Sequence, residues 1–135
     1  TDNGIVLIFD ECTSGFRESF GGIHKNYNVQ PDIAMFGKAL GNGHAITAIL
    51  GKREIMNEAQ ATFISSTFWT ERNGYVAGLK TLEEMERIKS WNIITKKGNY
   101  LRKKWKNIAR KTRFRVKINL PQINFKEYLK MFQKI

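Results

Sequence analysis

Two short apolar stretches, each followed by one ionisable residue, constrain the fold of this chain most. Residues 4–9 are continuously apolar and end at Asp10, and residues 33–36 lead to Lys38. Short runs of this kind, rich in β-branched residues, are typical of strands buried on both faces of a parallel sheet. In open α/β sheets, ligands bind at the carboxyl ends of the strands. The pattern therefore predicts an α/β fold with Asp10 and Lys38 at one binding edge.

The two ionisable residues indicate a shared chemistry at that edge. A lysine amine can attack a carbonyl carbon and form a Schiff base. A carboxylate beside a pyridine ring keeps the ring nitrogen protonated, and the protonated ring then draws electrons from an attached substrate. Alone, Lys38 could be an ordinary surface lysine, and Asp10 could merely cap the following turn. Together they predict one cofactor that carries both a ring nitrogen and an aldehyde.

Further elements follow in chain order. Gly41 and Gly43 make a flexible turn after Lys38, and residues 46–50 form a third apolar strand. Apolar residues spaced three and four apart predict a long helix from Thr70, in which two glycines would allow close packing, and a second helix after it. The stripes are Tyr75, Leu79, Leu82 and Met85 in the first helix, and Ile94, Leu101, Trp105 and Ile108 in the second. A short helix or irregular turn is predicted at 19–28, short helices at 52–60 and 124–134, and a half-buried strand at 114–118.

The net charge of +11 is confined to the C-terminal third of the chain. Residues 1–90 hold 9 Lys and Arg against 11 Asp and Glu, whereas residues 91–135 hold 14 against 1. This shift divides the chain at about residue 90. We interpret the basic residues as the solvated face of the second long helix, whose apolar stripe packs inward. Nucleic-acid binding is not expected, because no recognition motif accompanies these residues.

Composition favours a globular protein in a reducing compartment. The chain has 135 residues with 41% apolar content, which suffices for a buried core. Its single cysteine, Cys12, cannot form an internal disulfide, which favours the cytoplasm. No apolar run approaches the roughly 20 residues of a membrane helix. His24 and His44 lack metal-ligand spacing, so we interpret them as surface or turn residues and expect no metal site.

The order of several short motifs is more specific than any single residue. They are DECTSGFR at 10–17, PDI at 31–33, GKALGNG at 37–43, AILG at 48–51 and STFWTER at 66–72. In this order the chain resembles the class-III aminotransferases, which depend on pyridoxal phosphate, and especially the branch that includes glutamate-1-semialdehyde aminomutase. The resemblance extends to about Glu86, roughly two thirds of the chain.

The resemblance implies the fold class, the cofactor and the partners. The chain would be the C-terminal part of a fold-type-I transferase with an α/β fold. Residues 1–90 would form the latter part of the large cofactor-binding domain, on a mostly parallel sheet, and residues 91–135 the start of a small, shortened α+β domain. Pyridoxal phosphate would be the cofactor. The complete protein would be a homodimer that acts on a small amino donor and a carbonyl acceptor.

The resemblance also implies a role for each of four residues. Asp10 would pair with the ring nitrogen of the cofactor. Lys38 would form the Schiff base with its aldehyde and then carry a proton between the substrate and the cofactor. Cys12 falls where the family has a small apolar residue against the ring face. Thr67 would reach across a dimer interface to the cofactor phosphate of the other subunit.

Departures from the family pattern limit what can be inferred about the substrate. Gly37 stands where a serine is common, and the His44–Ala45 pair replaces an aromatic residue and a proline. The phosphate-binding loop and ring-stacking aromatic of the family would lie upstream of Thr1, so we expect a fragment that is inactive by itself. The leading hypothesis is amino transfer between two molecules. The alternatives are intramolecular transfer, as in the aminomutase, and an inert product whose basic tail binds polyanions.

Overall fold

The computed structural model describes residues 4–112. Three strands form one sheet in the order β1 (Ile8–Asp10), β2 (Ile33–Phe36) and β3 (Ala48–Gly51). β1 and β2 run parallel, with Asp10 opposite Met35, and β3 runs antiparallel to β2. The carboxyl ends of β1 and β2 therefore lie at the same edge of the sheet, as the sequence predicts.

β1 differs from the predicted strand in its length and its burial. The prediction covered residues 4–9, but the ladder begins at Ile8, and Ile5, Val6 and Ile8 are 66%, 45% and 52% exposed. β1 is also an outer strand of the sheet that the described residues form. The prediction of a central strand buried on both faces is therefore wrong for residues 4–112, because an apolar run indicates suitability for burial but not which segments cover it.

Asp32 fixes the start of the sheet. Its carboxylate is buried, with Oδ2 accepting a hydrogen bond from the Leu7 backbone N–H at 2.7 Å and Oδ1 lying 2.7 Å from Lys52 Nζ. The Asp32 backbone oxygen also accepts a hydrogen bond from the Lys52 backbone N–H at 2.9 Å. The pKa of the Asp32 carboxyl lies below its ordinary value. The largest cause is the hydrogen bond from the Leu7 N–H, and the next is the hydrogen bond from the Lys52 side chain. One side chain thus joins the segment before β1, the start of β2 and the residue after β3.

Helices occupy most of the segments predicted to be helical. A 3₁₀ helix, Ile23–Tyr27, lies within the segment 19–28, and the segment 52–60 forms the short helix α1 (Arg53–Met56) and a 3₁₀ helix, Asn57–Ala61. The two long helices are α2 (Arg72–Ile88) and α3 (Ser90–Thr112). The strand predicted at 114–118 and the helix predicted at 124–134 lie outside the described residues.

The close packing of α2 depends on its glycines. Gly74 and Gly78 are buried, and a Cβ on Gly74 would lie 3.1 Å from the backbone oxygen of Ala45. Tyr75 and Leu79, the first two residues of the apolar stripe, are 52% and 64% exposed. The buried face of α2 is therefore rotated toward its glycines, because small residues let the helix backbone approach its neighbours most closely.

The core lies between the sheet and the elements on one side of it. Its buried members are Ala34, Phe36 and Leu40, and the partly buried side chains packed against them are Phe16, Ala48 and Leu82. The ring centroids of Phe16 and Phe36 are 5.4 Å apart. Leu40 belongs to this core. Because it follows Lys38 by two residues, its burial anchors the turn that carries Lys38.

The described residues divide into two units, with residues 4–96 in the first and residues 97–112 in the second. In the described part of the second unit, Leu101, Trp105 and Ile108 are 50%, 48% and 58% exposed. The expected inward packing of this stripe is therefore not found within residues 97–112. Among the helices of residues 4–112, none is both long and apolar enough to cross a membrane.

Candidate active site

Asp10 ends β1 with its carboxylate open to solvent at the edge of the sheet. Its Oδ1 accepts a hydrogen bond from the Cys12 backbone N–H at 3.0 Å. The pKa of Asp10 lies below its ordinary value of 3.8. The largest cause is this hydrogen bond, followed by a hydrogen bond with the Cys12 side chain, and the positive charge of Lys38 also lowers it. The side chain is therefore a carboxylate at neutral pH, and the charge of Lys38 acts on it directly.

Lys38 lies two residues beyond the end of β2, in a backbone conformation that L-residues rarely adopt. Its φ is +33°, and the turn is closed by a hydrogen bond from the Asn42 N–H to the Lys38 carbonyl at 3.0 Å. Left-handed conformations of non-glycine residues cost on the order of 1–3 kcal/mol and are concentrated at functional sites. Its exposed side chain donates a hydrogen bond from Nζ to Thr13 Oγ1. The turn after β2 thus directs the Lys38 amine toward the turn after β1.

Cys12 contacts Asp10 through its backbone N–H and lies near the residue that precedes Lys38. Its side chain is half-buried, and a Cβ on Gly37, next to Lys38, would be 3.4 Å from Cys12 Sγ. The pKa of the Cys12 thiol lies above its ordinary value of 9.0. The largest cause is the hydrogen bond with the Asp10 side chain, followed by burial and by the negative charge of Asp10. The thiol is therefore protonated at neutral pH, which suits a packing residue better than a nucleophile.

A buried acid directly beneath this edge was not predicted from the sequence. Glu11 is 1% exposed; its Oε2 accepts a hydrogen bond from Ser14 Oγ, and its Oε1 accepts one from the His24 backbone N–H at 3.0 Å. His24 Nδ1 also lies 3.0 Å from Oε1. Burial raises the pKa of Glu11, but hydrogen bonds from Ser14 and from the backbone of Ile23 and His24 outweigh it, so the pKa lies below the ordinary 4.5.

The interpretation of His24 as a surface or turn residue is therefore wrong. It is 8% exposed, and its ring packs edge-on against Phe9, with centroids 5.8 Å apart. The glycine at position 22 is needed for this arrangement, because a Cβ there would lie 2.2 Å from His24 Nδ1. Nothing in the local sequence marks this histidine, because its partner, Glu11, is distant along the chain. His44, in contrast, is exposed.

Thr67 lies apart from these contacts, on an exposed turn. No hydrogen bond or ion pair within residues 4–112 joins it to Asp10, Cys12 or Lys38. A surface cavity of about 370 Å³ borders the same segment; it is lined by His44, Ala45, Ile46, Thr47, Ser66, Phe68, Trp69, Glu71, Gly74 and Tyr75. Hydrogen bonds and charge therefore link Asp10 with Cys12 and Lys38, and among the described residues these contacts do not include Thr67. In the same described range, no group of three or more His, Cys, Asp or Glu could hold a metal ion.

Thr13 is the residue at this edge that sequence reasoning missed. It lies inside the 10–17 motif, but a threonine in a polar turn carries no signal of its own. Its contact with Lys38 depends on the parallel pairing of β1 and β2, which brings the two turns together.

Comparison with known proteins decides the family. The family model described as aminotransferase class-III matches residues 1–128. The chain belongs to this family. The resemblance that the sequence motifs indicated is therefore confirmed.

Similar curated proteins include two kinds of enzyme. The chain is 48% identical over 94 residues to a 3-aminobutyryl-CoA aminotransferase of Cloacimonas acidaminovorans, covering 69% of this chain and 23% of that protein. It is 32% identical over 119 residues to a glutamate-1-semialdehyde 2,1-aminomutase of Sulfurihydrogenibium azorense, covering 86% of this chain and 28% of that protein. The chain thus spans about a quarter of the length of these relatives.

Solved structures confirm the fold class. The FumI protein of a Sphingopyxis species, solved in its pyridoxal-phosphate internal aldimine form, matches with a TM-score of 0.77 and 24% identity. The match covers 82% of this chain and 27% of that one. This class-III aminotransferase chain therefore has the mixed α/β fold of part of a fold-type-I enzyme, as predicted.

Proposed function

We propose that the protein is a pyridoxal-phosphate-dependent aminotransferase that moves an amino group from a small amino donor to a carbonyl acceptor. The observation that carries this proposal is the placement of Asp10 and Lys38. They are oppositely charged and exposed, and they follow the ends of two neighbouring parallel strands. Family membership supports the same activity.

The residues at this edge fit the cofactor. Asp10 is ionised, since its hydrogen bond from Cys12 and the charge of Lys38 lower its pKa, so it can hold a proton at a ring nitrogen. Lys38 presents a primary amine on the same open edge, and that amine can bind an aldehyde covalently. When bound, pyridoxal phosphate acts as an electron sink for a substrate carbanion. The protein's own part is to hold the ring charge at Asp10 and to take up and return a proton at Lys38 Nζ.

Two further residues belong to this proposal. Cys12, which is half-buried next to Gly37, would pack against the ring. Thr67, on its exposed turn, would contact the cofactor phosphate of a second subunit in a homodimer. Its exposure supports a role across an interface.

The domain assignment and location extend the same proposal. Residues 1–90 would belong to the large cofactor-binding domain and residues 91–135 to the small one. The cytoplasm is the proposed location, supported by a single cysteine that forms no internal disulfide.

Intramolecular amino transfer is the second candidate, because aminomutases are among the relatives at 32% identity or more. It uses the same cofactor and the same two residues. The two activities separate by stoichiometry. An aminotransferase requires a second carbonyl substrate for turnover, whereas an aminomutase turns over a single substrate without one.

Covalent trapping tests the proposal. The full-length protein is incubated with pyridoxal phosphate and reduced with borohydride, and the modified peptide is identified by mass spectrometry. We expect the label on Lys38 and its loss in Lys38→Ala. Lys80→Ala is the matched control, because Lys80 is an exposed lysine that pairs with Glu83 on α2. Label on another lysine, or undiminished binding by Lys38→Ala, would show that the proposal is wrong.

A further inference from the structure

We propose that Thr13 is a positioning residue for Lys38, holding its amine at the edge where Asp10 ends β1. This inference rests on the proposed function of Lys38. Its basis is the hydrogen bond from Lys38 Nζ to Thr13 Oγ1, which joins two turns that are distant along the chain. Thr13 is itself exposed, so its side chain is not explained by packing in the core.

An exposed lysine needs a partner if its amine is to stay in one place. A free lysine side chain has four rotatable bonds, and fixing it costs up to roughly 2 kcal/mol of conformational entropy. The backbone at Lys38 is already restricted by its φ of +33° and by the Asn42 hydrogen bond. The contact with Thr13 restricts the other end of the side chain, the end that reacts.

The position of Thr13 is itself fixed from both sides. On one side, the Cys12 N–H donates to Asp10 Oδ1 at 3.0 Å. On the other, the Gly15 N–H donates to the Glu11 carbonyl at 2.8 Å, and Ser14 Oγ donates to the buried Glu11 carboxylate. Glu11 is joined in turn to β2 by its N–H, which donates to a carbonyl oxygen of that strand at 2.8 Å. The hydroxyl of Thr13 is therefore presented by a turn that is tied to the sheet.

A hydroxyl suits this role better than a purely accepting or a purely donating group. It accepts a hydrogen bond from a protonated amine, and it donates one to the lone pair of a neutral amine. The Thr13 hydroxyl can therefore form a hydrogen bond with the Lys38 amine whether the amine is protonated or neutral. A valine has nearly the same shape but can do neither, whereas a serine keeps the hydroxyl.

Two rate measurements on the cofactor-free, full-length protein test the inference, with Thr13→Val and Thr13→Ser as variants. The first follows the attachment of pyridoxal phosphate to Lys38 by borohydride trapping at timed intervals. The second follows reductive methylation of Lys38 by formaldehyde with cyanoborohydride as the hydride donor, relative to methylation of Lys80. Attachment requires the amine to stand at the aldehyde of a bound cofactor, whereas methylation requires only that the amine is free.

We expect the two rates to change in opposite directions in Thr13→Val. Attachment should slow by roughly tenfold, as for loss of one hydrogen bond to a charged group, while the methylation ratio should rise severalfold. Thr13→Ser should restore both. Thr62→Val, which removes a hydroxyl that donates to the Ala59 carbonyl, should change neither.

The inference is overturned if Thr13→Val matches the parent in both rates. It is also overturned if both rates fall together and Thr13→Ser does not restore them, which would indicate general damage to the turn. If the parent attaches cofactor at another lysine, the proposed function fails instead. The methylation ratio then still reports whether Thr13 restrains the Lys38 amine.

Discussion

Replacing Glu11 by glutamine removes a buried charge while keeping the shape of the side chain. Glu11 is 1% exposed and accepts hydrogen bonds from Ser14 Oγ and the His24 backbone N–H, with His24 Nδ1 also 3.0 Å away. A hydrogen bond to a charged group contributes about 1.5–3 kcal/mol, and one between neutral groups about 0.5–1.5 kcal/mol. The difference is about 1–1.5 kcal/mol per bond, so the loss over two bonds alone is already about 2 kcal/mol.

Local opening is the event that this loss should promote. Native-state hydrogen exchange measures the free energy with which a segment opens, independently of the stability of the rest of the protein. A loss of about 2 kcal/mol corresponds to roughly 30-fold faster exchange. We expect this acceleration at neutral pH in amides of residues 11–25 in Glu11→Gln, measured on the full-length protein. Glu84→Gln, which changes an exposed acid paired with Arg87 on α2, is the control and should leave these amides unaffected.

The pH dependence of the effect has a definite sign. The folded pKa of Glu11 lies below its ordinary value of 4.5 because the hydrogen bonds from Ser14, Ile23 and His24 outweigh burial. Its stabilising contribution is therefore fully present above about pH 4.5 and is lost as the pH falls through the folded pKa. Glutamine does not titrate. The difference in protection between parent and variant, corrected for intrinsic exchange, should accordingly shrink in acid.

Two results would refute this reasoning. One is equal protection of residues 11–25 in the parent and Glu11→Gln at pH 7, which would mean that the buried carboxylate does not stabilise the segment. The other is a difference in protection that stays constant well below pH 4.5. That result would assign the effect to altered packing rather than to the charge of Glu11.

The glycines give two further predictions. Gly22→Ala should accelerate exchange of residues 11–25 at least as much as Glu11→Gln, because the added Cβ would lie 2.2 Å from His24 Nδ1 and 2.7 Å from Glu11 Oε1; unchanged exchange would contradict this. In α2, Gly78→Ala should raise the free energy of unfolding by about 0.5–1 kcal/mol, because alanine has the higher helix propensity. There is room for the added Cβ, since its nearest neighbouring atom would be 3.5 Å away. Gly74→Ala should lower the unfolding temperature, because its Cβ would be 3.1 Å from a backbone oxygen; the reverse order of the two variants would refute the packing assigned to α2.

The residues at the carboxyl ends of β1 and β2 could be predicted from the sequence, but the burial of the strands and helices could not. Apolar runs that end in Asp10 and Lys38 are local patterns, and the parallel pairing of β1 and β2 follows from the segment that connects them. The exposure of residues 5–8 depends on what covers the strand, which no local pattern contains. The apolar stripe of α2 does not identify its buried residues for a related reason: Tyr75 and Leu79 are exposed, whereas Gly74 and Gly78, which rank low in hydrophobicity, are buried.

Contacts between turns were also beyond local patterns. The hydrogen bond between Lys38 and Thr13, and the buried pair of Glu11 and His24, each join residues far apart in sequence. Neither pair has a spacing that a helix or a strand would repeat. Each exists because the sheet brings the loop after β1 beside another segment, so it can be found only once the topology is known.

Asp10 and Glu11 show how one strand end serves both the chemistry and the scaffold. Successive side chains of a strand point to opposite sides, so Asp10 opens to solvent while Glu11 is 1% exposed. The pKa of each carboxyl is lowered, but by different interactions. At Asp10 these are hydrogen bonds with Cys12 and then the charge of Lys38, whereas at Glu11 they are hydrogen bonds from buried or partly buried donors.

Glu11 holds the turn that presents Thr13, and Thr13 is proposed to hold Lys38. We therefore expect Glu11→Gln also to slow the attachment of pyridoxal phosphate to Lys38, although Glu11 does not touch the cofactor. An unchanged attachment rate, with faster exchange of residues 11–25, would show that the buried acid stabilises the turn but does not position the amine.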